Sequence, residues 1–124
     1  MPRNADDVRR RLVKKLKAKR EQERQRALDR EQLRLEQIKE MRDKINALHE
    51  SIAKGTVLLR DIDEVSTRIR AQSFAEGASQ DERDSGSLAL DRLDRQRVTM
   101  EKNVAEWNEG VSMLQDFLKQ LCSG

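Results

Sequence analysis

Ile38, Met41, Ile45, Leu48, Ile52, Leu59, Ile62 and Ile69 recur at alternating steps of three and four, interrupted only by Gly55 and Ser66. Such steps return to one face of an α-helix, so these residues form an apolar seam of coiled-coil type. A second series, Leu90, Leu93, Met100, Val104, Trp107, Val111, Leu114, Leu118 and Leu121, keeps the same spacing, with Arg97 as its one charged member. The pattern predicts an all-α chain with a first coiled-coil helix over 38–72 and a second over 87–122. Between them the turn-forming residues Gly77, Ser79, Ser85 and Gly86 predict a flexible loop over 73–86. Ser87 is the expected N-cap of the second helix, because Asp91 and Asp94 follow where they meet the positive end of the helix dipole.

The two seams fit one another in antiparallel register. Residue numbers of matched positions then share a constant sum, which pairs Ile69 with Leu90, Leu59 with Met100, Ile52 with Trp107, Leu48 with Val111, Ile45 with Leu114, Met41 with Leu118 and Ile38 with Leu121. A long antiparallel helical hairpin is the expected architecture, with a straight parallel dimer as the competing one. In the hairpin register Gly55 faces Val104, one layer from Trp107. Two roles fit that glycine: it makes room for the indole, or it merely weakens the helix by about 1 kcal/mol relative to alanine. The d-type position of Trp107 predicts a core residue. Leu58 and Val65 beside the first seam, and Phe117 beside the second, widen the apolar faces beyond what one partner helix covers. They are the expected contacts to further helical subunits, in a homo- or hetero-oligomer.

Residues 1–37 carry no such seam. Asn4 is a candidate N-cap followed by Asp6 and Asp7, so a helix is expected to begin near residue 5. The segment is overwhelmingly charged, with i,i+3 pairs available to Arg20 and Glu23, Glu23 and Arg26, Arg26 and Asp29, and Glu31 and Arg34. Each such pair contributes a few tenths of a kcal/mol. As a helix, this basic arm would project by roughly 45–50 Å at 1.5 Å per residue.

Composition agrees with long helices and little core. Of 124 residues, 40% are charged and 35% apolar, with one proline and five glycines. The net charge of +3 conceals a gradient: residues 1–30 hold twelve Lys/Arg against five Asp/Glu, whereas residues 73–124 hold six against ten. A basic arm of this kind favours an acidic protein surface or nucleic acid. With only Phe74, Trp107 and Phe117 as aromatics, the chain lacks a base-stacking platform. The single cysteine, Cys122, precludes an intrachain disulfide and fits a reducing compartment. No apolar run is long enough to span a bilayer and the N-terminus lacks the apolar core of a secretory signal, so an intracellular location, cytoplasmic or nuclear, is expected.

Arg9, Arg10, Arg11, Lys14, Lys15, Lys17, Lys19 and Arg20 form the strongest chemical signal outside the seams. On a helix they lie all around the axis, suited to phosphates or an acidic protein surface; a purely solubilising face is the plain alternative. The stretch from Arg9 to Arg20 also has the character of a nuclear-import address. Val8, Leu12 and Leu16 make too thin a stripe, without an aromatic to insert, for membrane binding. His49 has no second His or Cys at ligand spacing, and Cys122 reads as a bystander near a helix end. There is no phosphate loop, nucleophile elbow or His/Cys constellation, so neither catalysis nor a cofactor or metal is expected. The sequence therefore predicts a non-enzymatic structural or adaptor subunit of a larger assembly, engaging an acidic partner through its arm. The alternative is a ribosome- or chromatin-bound factor whose arm contacts phosphates.

Overall fold

A computed structural model describes residues 4–123, so the first three positions of the arm expected over 1–37 lie outside the described residues. Two helices, α1 (Ala5–Ser73) and α2 (Gln80–Ser123), make up the described chain, with no strand among the described residues. Helix α1 begins at the expected place. The Asp7 amide donates to the Asn4 carbonyl at 3.0 Å, and Asp6 and Asp7 occupy the first turn, where carboxylates favour the exposed amides.

The chain divides into two compact units, Met1–Glu40 and Met41–Gly124. In the first, every described residue is exposed except the half-buried Arg34 and the buried Ile38. Its helix is decorated by local contacts. Gln25 Nε2 donates to Asp29 Oδ1 at 3.0 Å, Gln32 Nε2 to Glu36 Oε1 at 3.4 Å, Arg30 Nε to the Arg26 carbonyl at 3.3 Å, and Arg34 pairs with Glu31 at 3.6 Å. Helix-forming composition and such weak pairs are what hold a helix without a long apolar face.

In the second unit α1 and α2 pack against each other. A Cβ placed on Gly55 would lie 2.8 Å from Val104 Cγ2, 3.2 Å from Met100 Sδ and 3.2 Å from Trp107 Cζ3; one on Gly110 would lie 3.4 Å from Leu48 Cδ1. Gly86 abuts Ser73, with Ile69 Cγ2 3.6 Å from its missing Cβ, and Arg97 meets Asp63. Along these contacts the position on α2 falls as the position on α1 rises. Gly55 is therefore a site of close approach, where the absent side chain admits Val104 and the Trp107 ring.

The turn is shorter than the sequence predicts. Only Phe74–Ser79 separates the helices, against an expected loop over 73–86. The Phe74 amide still donates to the Arg70 carbonyl at 3.3 Å, and the Ala78 amide closes a turn on the Ala75 carbonyl at 3.0 Å. Gly77, at the third position of that turn, has φ 86°, the conformation a type II turn reserves for glycine. The N-cap of α2 is Ser79 and not Ser87: Ser79 Oγ accepts from the Glu82 amide at 3.2 Å, and Asp81 and Glu82 fill the first turn. Ser85, Gly86 and Ser87 lie inside α2. Gly86 is small because it is pressed against Ser73, not because the chain turns there.

Candidate interaction surfaces

The basic cluster occupies the first unit. Arg9, Arg10, Arg11, Lys14, Lys15, Lys17, Lys19 and Arg20 are all exposed and all helical. Successive helical residues are turned by about 100°, so the Arg9–Arg11 triplet alone points charge to most of the circumference, and the remaining five extend it over two further turns. Val8, Leu12, Val13 and Leu16 among them are 48–55% exposed; Val8, Leu12 and Leu16, four residues apart, share one thin stripe. The arrangement sets cationic heads on long stems around the whole helix axis.

The residues of both expected seams are all at least partly covered. Ile38, Ile45 and Val111 are buried; Met41, Leu48, Ile52, Leu59, Ile62, Ile69, Leu90, Leu93, Met100, Val104, Trp107, Leu114, Leu118 and Leu121 are half-buried. None is exposed. Trp107 is near Gly55, as the register implies, but it is half-buried where its seam position predicts a core residue. Two helices cover a large indole from one side only, and its outer edge stays in solvent. The same geometry explains why so few side chains are fully enclosed.

Arg97 fills its seam position by reaching outward. Its guanidinium meets Asp63 Oδ1 of α1 at 2.7 Å and Glu101 Oε1 one turn along α2 at 3.1 Å. The aliphatic stem lies with the apolar seam while the charge stays at the edge. Both side chains of the Arg97–Asp63 pair are more than a third exposed, 41% and 50%, so solvent screens the attraction and its contribution is no more than about 1 kcal/mol. The sequence marks Arg97 as the odd member of the seam, but its partner Asp63 follows only from the interhelical register.

Leu58, Val65 and Phe117 are 48%, 41% and 49% exposed. Leu58 borders a groove of about 430 Å³ between the helices, lined also by Ile62, Arg95, Gln96, Thr99 and Met100. A second, shallow hollow of about 490 Å³ is lined by Ala53, Lys54, Val57 and Leu58 of α1 alone. Sequence reasoning found the exposed residues and missed the first groove, whose walls come from both helices at once.

His49 and Cys122 are exposed. Among the described residues no group of three or more His, Cys, Asp or Glu is placed to hold a metal ion, and no helix is long and apolar enough to cross a membrane. No protein-family model, curated protein or solved structure matches the chain.

Proposed function

We propose that this chain is a structural or adaptor subunit of a larger protein assembly, with no catalytic role of its own. In this reading α1 and α2 form an antiparallel coiled-coil hairpin that associates with other helical subunits, and the basic N-terminal helix engages an acidic partner. One observation carries it: the seam residues from Met41 to Ile69 and from Leu90 to Leu121 are mostly half-buried, while Leu58, Val65 and Phe117 beside them stay open to solvent. A single interhelical seam supplies little stability by itself, and exposed aliphatic and aromatic side chains at heptad-flanking positions gain most from a further helix. The eight exposed cations of the arm support the second half of the reading.

Purification of the intact chain with its bound partners tests this. Protein subunits should remain attached after nuclease treatment and through a rise from about 50 to 200 mM salt, because apolar packing is indifferent to screening. Reversing the charge at Arg9, Arg10, Arg11, Lys14 and Lys15 should release an acidic component without releasing the subunits held by the hairpin. Co-purifying nucleic acid whose affinity falls by a factor on the order of 1,000 over that salt range, with nothing else retained after nuclease, would replace this reading by that of a phosphate-binding factor.

A further inference from the structure

In the second unit one flank of the seam, beyond Lys44 at its start, is neutral at its heptad positions. Positions repeating every seven residues from Ser51 to Gln72 on α1, and from Ala89 to Phe117 on α2, hold no ionisable residue. The opposite flank holds Asp63, Arg70, Asp94 and Glu101. On this stretch Leu58 is 48% exposed and lines both hollows described above, whose other walls include Arg95 and Lys54.

We infer that this flank docks a second copy of the chain, the two α1 helices crossing antiparallel at Leu58 about a two-fold axis. The inference rests on the coiled-coil association proposed above and names its occupant. Apolar contact favours it first: a two-fold axis at the crossing sets the two exposed Leu58 side chains against each other. Charge favours it second. Lys54 and Asp61 are exposed, about one turn before and one turn after Leu58. In the antiparallel crossing Lys54 of each copy lies beside Asp61 of the other, whereas a parallel crossing would set Lys54 on Lys54. Two-fold symmetry sets a residue on the axis against itself, and the neutral flank avoids that repulsion. Burial favours it third. Among the described apolar side chains of this unit only Ile45 and Val111 are buried, and a second pair of helices covers the neutral side of the seam.

Sedimentation equilibrium of the full chain, with circular dichroism as the check on folding, tests the inference. The wild-type chain should be a dimer, and Leu58→Asp a helical monomer. Should Leu58→Asp lose its helical signal, Lys54→Glu decides: both symmetry-related pairs turn repulsive, and the dimer should weaken on the order of tenfold. Combining Lys54→Glu with Asp61→Lys should restore wild-type association. The inference is overturned by a wild-type monomer across the micromolar range, by Lys54→Glu leaving association unchanged, or by a double variant no better than the single one. A monomer that still retains other protein subunits on purification would remove the second copy and leave the adaptor reading standing; loss of both would remove the two together.

Discussion

Gly86→Ala has a sign that depends on where the second helix begins. At an ordinary interior helical position this substitution stabilises by about 1 kcal/mol, because glycine loses more backbone freedom than alanine on folding. Gly86 is not an ordinary position. A Cβ there would overlap the Ser73 Cβ, lie 2.5 Å from its Oγ and stand 3.6 Å from Ile69 Cγ2. Carbon atoms prefer about 3.5–4.0 Å, and the Ser73 Cβ is bonded directly to the α1 backbone, so no rotamer moves it aside. The helices must part, an overpacking cost of about 1–3 kcal/mol. Set against the propensity gain, Gly86→Ala should destabilise by up to about 2 kcal/mol, read as a lower midpoint in a urea melt followed by helical circular dichroism. In a Ser73→Gly background the obstacle is gone and the same substitution should stabilise by about 1 kcal/mol. The cycle then shows a coupling of about 1–3 kcal/mol between the two sites, within the range for residues in contact. A stabilising Gly86→Ala in the wild-type chain, or a coupling near zero, would refute the close approach and return Gly86 to a loop.

Two further substitutions probe the same architecture. Ser79→Ala should cost about 1 kcal/mol through loss of the cap on the Glu82 amide, while Ser87→Ala in the interior of α2 should be nearly neutral; the reverse ranking in paired thermal melts would move the helix start back to residue 87. Trp107→Ala should destabilise by about 2–3 kcal/mol, below the usual 3–5 kcal/mol for a fully enclosed aromatic, because the indole is covered on one side only. Its native fluorescence should sit between the buried and solvated limits, and an emission identical to that of the urea-unfolded chain would contradict the packing against Gly55.

Helicity and the place where α1 begins were legible along the chain, and none of the residues read as seam members is exposed. A three-and-four spacing is a property of one helix and its apolar face, so each seam is written in the sequence whether or not a partner is present. Even the pairing of Gly55 with Val104 could be read, because two seams of equal spacing admit few registers. What the sequence left undecided depends on the distance between the helices. Gly86 and Ser85 carry the composition of a turn, and nothing local distinguishes a glycine that bends the chain from one that lets two backbones approach. The Ser79-x-x-Glu82 cap was there to be found, yet its weight against the later serines emerges only when Ser73 is seen to face Gly86. Likewise Arg97 is conspicuous as a charge in an apolar seam, but its bond to Asp63, the half-exposure of Trp107 and the groove between Leu58 and Met100 arise from two helices meeting at one spacing. Periodicity determined which residues face inward; the interhelical distance, set by the glycines and serines between the helices, decided how far each is covered.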